Sequence, residues 1–293
     1  MIYSVSHTTT YGYSQPVSLC HNIVHLTPRN TYRQACIVTS LEVAPRPAVE
    51  SVHVDFFGNA CHFLTIQEPH KCLTLTARHM VEVAPFLPPR PGQTPPWEAV
   101  RAQLARPTDA ESLEASEFVF NSASVHAAAA LADYASPSFP AGRPLIDAVL
   151  DLTRRIHADF RYDPTATTVS TPLADVLASR RGVCQDFAHL QIACLRSLSL
   201  AGRYVSGYLL TQPPPGQPRL IGADATHAWP SVWCPGPGWI DVDPTNNQVP
   251  SDKHITLAWG RDYDDVSPIK GVILGGGAHD VSVAVDVVPA DAG

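Results

Sequence analysis

Arg180-Arg181-Gly182-Val183-Cys184-Gln185-Asp186-Phe187-Ala188 leads into a run in which apolar residues crowd every side. Phe187, Ala188, Leu190, Ile192, Ala193, Cys194, Leu195 and Leu198 cover most of the circumference of a helix that reaches to about residue 200, with Gly202 after it. A helix apolar nearly all round is buried, so the segment predicts a central helix with Cys184 at its exposed tip. Unpaired N–H groups and the helix dipole favour a thiolate at a helix N-terminus. Arg180 and Arg181 stand close enough in sequence to add to that effect, and Gly182 reads as the stop of a preceding helix. A cysteine is more often a small buried hydrophobe; setting, not type, singles out Cys184.

Downstream, residues 227–234 and 239–243 read as two strands joined by Pro235-Gly236-Pro237-Gly238. His227, Trp229, Ser231 and Trp233 share one face of the first by the period of two, and Trp239, Asp241 and Asp243 one face of the second. Pairing the two strands sets a histidine beside an aspartate. Cysteine, histidine and aspartate thus follow one another in the order a nucleophile, a base and an orienting carboxylate require. Periodicity leaves Asp241 and Asp243 equally eligible. Gln185, Asp186, Trp229 and Asp241 are the neighbours with a supporting role in this reading.

The first ~90 residues read as β-structure. Candidate strands cover residues 37–43, 49–57, 61–66 and 72–83, and Gly58-Asn59 marks a hairpin. Six prolines then fall within residues 83–97, a stiff connector and the best boundary in the chain. The expected organisation is a sandwich-like β-domain over 1–90 and a catalytic domain over 91–293. Helical patterns follow the connector: residues 127–134, a stripe of Leu145, Val149, Leu152, Ile156 and Phe160 behind Pro144, and a short helix with Thr171-Pro172 as its cap and first turn. Residues 204–211 form a further strand before a loop at Pro213-Pro214-Pro215-Gly216. The tail alternates again, with Val281, Val283, Val285 and Val287 pointing one way, and is assigned to the catalytic domain. The fold class is α+β.

The net charge of −7, with no dense Lys/Arg cluster, gives no support for nucleic-acid binding. Neither a signal peptide nor a membrane-spanning run is read, so the expectation is a cytoplasmic protein without a membrane partner. The seven cysteines, at 20, 36, 61, 72, 184, 194 and 234, form no CxxC pair, which argues against a disulfide framework and a structural zinc site. A zinc set of Cys184, His227, Asp241 and Asp243 lacks short ligand spacing. Asp262, Asp264 and Asp265 lack the pattern of a calcium loop and read as a turn with solvated carboxylates. No metal and no cofactor is expected.

With these residues in place, the chain resembles the transglutaminase-like superfamily. The match runs through Gly182-Val183-Cys184-Gln185-Asp186-Phe187-Ala188, Arg203-Tyr204-Val205-Ser206-Gly207-Tyr208, Asp224-Ala225-Thr226-His227-Ala228-Trp229, Gly238-Trp239 and Asp243-Pro244-Thr245. His7-Thr8-Thr9-Thr10-Tyr11, Tyr13, Pro16-Val17, Leu26-Thr27-Pro28-Arg29, Asp55 and Gly58-Asn59 resemble the N-terminal β-domain of its bacterial branch, and residues 260–271 resemble its tail. Residues 95–140 match least. The resemblance implies a papain-like core, a helix packed on an antiparallel sheet, with Cys184 as nucleophile, His227 as base and Asp243 rather than Asp241 as orienting carboxylate. It implies acyl transfer on a peptide, protein or amide substrate: hydrolysis, as in the cysteine proteases and amidases of that branch, or transamidation. A non-catalytic binding module keeping the fold is the reading from another class. The backbone N–H of Cys184, at a helix start, is a natural oxyanion donor. Two departures stand out. Pro230 follows His227-Ala228-Trp229, which predicts an edge strand or a bulge, and Ala201-Gly202 replaces the family's frequent Pro-Ala.

Overall fold

The structure, a computed structural model, describes residues 1–211 and 225–290. Strands β1 (Ile2–Val24), β2 (Gln34–Ala44), β3 (Val49–Val54), β4 (Ala60–Ile66) and β5 (His70–Val83) come first. Helices α1 (Trp97–Ala105), α2 (Ala110–Ser116), α3 (Ala129–Ala135) and α4 (Leu145–Asp159) follow. The short β6 (Arg161–Tyr162), α5 (Leu173–Ser179) and the short β7 (Arg181–Gly182) then lead into α6 (Cys184–Ser197). The chain closes with β8 (Gly202–Leu209), β9 (Ala225–Cys234), β10 (Gly238–Asp241), β11 (His254–Gly260), α7 (Tyr263–Val266), β12 (Ile269–Gly275) and β13 (His279–Pro289). The loop at Pro213 and residue Asp224 lie outside the described residues. Among the described residues no helix is long and apolar enough to cross a membrane.

The N-terminal sheet is antiparallel and organised by β1. Residues 2–12 of β1 pair with β5 on one side and β13 on the other; beyond a register break between Gly12 and Val17, β1 pairs with β4 and β12. One strand thus serves two halves, consistent with the sandwich-like expectation. The tail, grouped with the core on sequence, adds its two strands to this N-terminal sheet instead. Only Val285 and Val287 of its alternating valines are buried; Val281 and Val283 are half exposed, because the far end of β13 runs along an open face.

The core sheet has the order β10-β9-β8-β11, and α6 packs across β8 and β9. Residues 186–196 of α6 are all buried. Its polar members survive there because each has a partner: His189 Nε2 accepts from the Tyr263 N–H at 3.1 Å, Gln191 donates to Thr153 Oγ1 at 2.8 Å, and the Arg196 guanidinium donates to three backbone carbonyls and Ser122. The free edge of β11 is covered by amide side chains that imitate a strand. Gln34 bonds the N–H and C=O of Thr256 at 2.8 and 2.7 Å, and Asn59 those of Trp259 at 3.0 and 2.8 Å. These four bonds lock the β-domain onto the core while blunting an edge that would otherwise be open to pairing.

Pro230 lies on neither an edge nor a bulge. β9 runs between β8 and β10 with unbroken register to β8. The Pro230 carbonyl accepts from the Val242 N–H at 2.9 Å, on the β10 side. A strand residue points its N–H and C=O to the same side, so the missing donor falls just where β10 ends at Asp241. Asp262 is buried, not solvated: it caps α7 by accepting from the Asp264 N–H, and it also accepts from the Ser124 N–H.

Candidate active site

Cys184 is the first residue of α6 and half-buried. Val183, in extended conformation, precedes it, and Asp186 folds back so that its carboxylate accepts from the Val183 N–H at 2.8 Å and from the Thr167 hydroxyl at 2.6 Å. Gly182 is required for this fold-back. A Cβ there would lie 2.6 Å from the Asp186 carboxylate, a contact no side chain tolerates. The expected helix stop belongs instead to Arg180, whose φ of 56° ends α5 in the left-handed region. Pro172, not Thr171, holds the cap position of that helix. Asp186 is therefore a structural pin, and the Gly-Val-Cys-Gln-Asp stretch presents a thiol at a helix start whose first N–H groups have no intrahelical acceptor.

The flanking arginines do not serve the thiol. Arg180 lies 4.7 Å over both the Tyr134 and Phe160 rings, and Arg181 pairs with Asp163 at 3.8 Å. Gln185 donates to the Val169 carbonyl at 3.3 Å. Val169 is also a wall of a cavity of about 580 Å³ with Leu131, Thr171, Leu173, Leu177 and His189, so this cavity opens beside the head of α6.

His227 sits on β9 opposite Gly207 of β8. Its imidazole interacts with the Cys184 side chain, and its Nε2–H donates to Asp243 Oδ2 at 2.8 Å. The structure thus brings Cys184, His227 and Asp243 together. Burial by itself would lower the imidazole pKa, but the bonds to Asp243 and Cys184 and their charges outweigh it and raise the pKa to about 10. For Asp243, which is fully buried, burial works toward a higher pKa; hydrogen bonds from His227, His254 and Asn246 overcome it and hold the carboxyl well below the usual carboxylate range.

Two residues absent from the sequence reading complete this network. Asn246 donates from its side chain to Asp243 Oδ2 at 2.8 Å, while the N–H groups of Thr245 and Asn246 donate to Oδ1 at 2.9 and 3.1 Å. His254 of β11 donates from Nε2 to Asp243 Oδ2 at 3.2 Å, and its Nδ1 is buried without a partner. Burial holds the His254 pKa below its ordinary value, a shift the Asp243 carboxylate only partly opposes, so the ring is neutral. The turn after Asp243 hinted at Asn246. Nothing in the local sequence ties His254 to Asp243; only the β8–β11 pairing does so.

Trp229 is fully buried and walls the pair of rings, 5.8 Å from His227 and edge-on to His254 at 5.1 Å. Gly207 makes room for it: a Cβ there would meet the Trp229 ring at 2.6 Å and the Ile255 carbonyl at 2.1 Å. Asp241 lies elsewhere. Its carboxylate pairs with Arg33 at 3.4 Å in a cavity of about 360 Å³ that also contains Arg203, Trp239 and Trp259, and none of Cys184, His227 or Asp243. The face shared by Asp241 and Asp243 on sequence ends with β10, because Asp243 has left the strand for a bridge to Gln248.

Residues 3–82 match the bacterial transglutaminase-like N-terminal region and residues 133–244 the transglutaminase-like superfamily. An uncharacterized protein of Mycobacterium tuberculosis is 45% identical, with 98% of this chain and 92% of the relative covered. A protein-glutamine gamma-glutamyltransferase of Pseudomonas aeruginosa is 30% identical over 128 residues, 37% of this chain and 19% of that protein. The fold matches that of a crystal structure from Cytophaga hutchinsonii, described as a candidate cysteine protease, with a TM-score of 0.74 at 22% identity over 99% of this chain and 92% of that one. The chain belongs to the transglutaminase-like superfamily, in its bacterial form with the N-terminal β-domain.

Proposed function

We propose that this protein is a thiol-dependent acyl-transfer enzyme that hydrolyses a peptide or amide bond through a thioester on Cys184. The observation that carries this reading is the His227 imidazole, which interacts with the Cys184 side chain and donates to the buried Asp243 carboxylate at 2.8 Å.

The Cys184 thiolate attacks the carbonyl carbon, forming a C–S bond and moving the π-electrons onto oxygen. The backbone N–H of Cys184 at the head of α6 donates to that oxyanion. His227, held as an imidazolium by Asp243, gives its Nδ1 proton to the leaving amine as the C–N bond breaks. Water then enters; the now neutral His227 takes its proton, the acid leaves, and the thiolate returns. Asp243 remains ionised throughout and fixes the Nε2–H tautomer. Partial exposure of Cys184 favours water as the acceptor, because transamidation needs a site that excludes it.

The test is an amide-donor assay with and without a primary amine, run on the wild type and on Cys184→Ala. Free acid in a yield unaffected by amine is the expected product. An amine adduct growing with amine concentration reassigns the protein to transamidation. Equal labelling of wild type and Cys184→Ala by a thiol-directed electrophile removes the catalytic reading.

A further inference from the structure

We infer that the N-terminal β-domain carries a binding site for a divalent transition ion of the zinc class, formed by His25, Asp55 and Cys61. His25 stands one residue past β1, Asp55 one past β3, and Cys61 is the second residue of β4. Sequence spacing conceals the set, since the sheet and not a local motif gathers it. Its three ligand atoms lie within 4.8 Å of one another. His25 Nε2 is 3.0 Å from Cys61 Sγ and 3.7 Å from Asp55 Oδ2. Bonds of about 2.0–2.3 Å to a tetrahedral ion place such pairs roughly 3.6 and 3.4 Å apart, so small side-chain movements admit the ion.

The donors are oriented as ligands need to be. The His25 Nδ1–H is spent on the Ser267 carbonyl at 3.1 Å, which leaves the Nε2 lone pair facing sulfur and carboxylate. Asp55 is held by the N–H and the side-chain amide of Asn59, both at 2.7 Å. Cys61 and His25 are buried, and the cluster lines a cavity of about 300 Å³ with Phe57, Phe63 and Asp264, which leaves a fourth position for water. On binding, Cys61 releases its thiol proton to solvent and donates a sulfur lone pair; no electron transfer is involved. His227, Asp243 and His254 also cluster tightly, but both rings there spend their Nε2–H on the carboxylate and turn no lone pair toward it.

The experiment is zinc loading of the full-length protein, followed by metal analysis after dialysis and X-ray absorption at the zinc edge. One zinc per chain with a single sulfur scatterer at about 2.3 Å is expected. Cobalt substitution gives a thiolate-to-cobalt charge-transfer band that persists in Cys184→Ala and disappears in Cys61→Ser. Substoichiometric metal, a nitrogen/oxygen-only shell, or a band lost with Cys184 rather than Cys61 overturns the inference. The wild-type absorption measurement decides the matter even where Cys61→Ser fails to fold.

Discussion

The molecule contains two groupings of cysteine, histidine and aspartate, one in each sheet region, and they differ in everything but residue type. Cys61 lies inside the N-terminal sheet, where burial, reinforced by Asp55, pushes its pKa up to about 11. Its histidine is turned by a backbone carbonyl and its aspartate is tied into a turn. Cys184 is half-buried at a helix start, its histidine carries a proton up to about pH 10, and its aspartate collects donors from two histidines, an asparagine and two backbone N–H groups. The lesson is that nucleophilic chemistry is written in the environment of a thiol. On the two proposed readings, Cys184 faces a protonated imidazole and helix N–H groups, as a nucleophile needs, and Cys61 faces an inward lone pair and a carboxylate, as a metal ligand does.

The largest effect that separates the two is removal of each sulfur. Cys184→Ala is expected to abolish acyl transfer, a loss of roughly 10,000-fold or more by the scale of other nucleophile deletions, along with labelling by a thiol-directed electrophile. Cys61→Ser keeps the label on Cys184. Peptide mapping of the labelled protein checks both; label recovered mainly on Cys61 would invert the comparison.

Next comes removal of each carboxylate charge. Asp243→Asn offers His227 an amide in place of an anion and frees its tautomer, with an expected rate loss of roughly 1,000- to 10,000-fold. Asp55→Asn sets an amide against the Asn59 amide and loosens the seal on β11, so it costs stability, about 1–3 kcal/mol for the group left unsatisfied, rather than the chemical step. Rates and denaturant titrations of the two variants should therefore trade places. A matching rate loss in Asp55→Asn would mean that the sheet junction, not the charge on Asp243, sets the rate.

The third difference is in pH. His227 has its folded pKa raised from 6.5 to about 10, so its contribution to stability is complete below 6.5 and is lost as pH climbs through about 10. The window for Cys61 lies higher, between 9 and about 11. Wild-type stability should fall by a few kcal/mol between pH 7 and 10, a decline missing from His227→Gln and retained in Cys61→Ser. Unfolding midpoints at fixed ionic strength across that range measure it. An identical decline in His227→Gln refutes the assigned shift.

These contrasts also mark what the sequence made legible. The apolar circumference of α6, the hairpin at Gly58-Asn59 and the Pro-rich connector are local signals, and local signals survive without coordinates. The meeting of His227 with Asp243 was readable because β9 and β10 are joined by a short turn. What escaped depends on pairing between distant strands. The tail joining β1, His254 reaching Asp243 across β11, and His25 meeting Cys61 each need a register that no window of sequence contains. Pro230 misled because its acceptability turns on where the neighbouring strand stops. Asp241 lost its equivalence to Asp243 at that same strand end.

The smallest expected effect concerns His254, for which the N-terminal grouping has no counterpart: Asp55 has no second imidazole. Neutral His254 donates one hydrogen bond to a carboxylate that retains five others, from His227, the Asn246 and Gln248 side chains and two backbone N–H groups. His254→Asn should therefore lower kcat by only about tenfold, the equivalent of one such bond, with KM unchanged. The direction of the pH effect is the stronger check. With one donor gone, the negative charge on Asp243 is less dispersed and holds the His227 proton more tightly, so the alkaline limb of the rate profile moves to higher pH. A residue that merely fills space would lower the melting temperature and leave that limb where it is. A limb that stays fixed, or moves down, would show that His254 packs beside the network without tuning it.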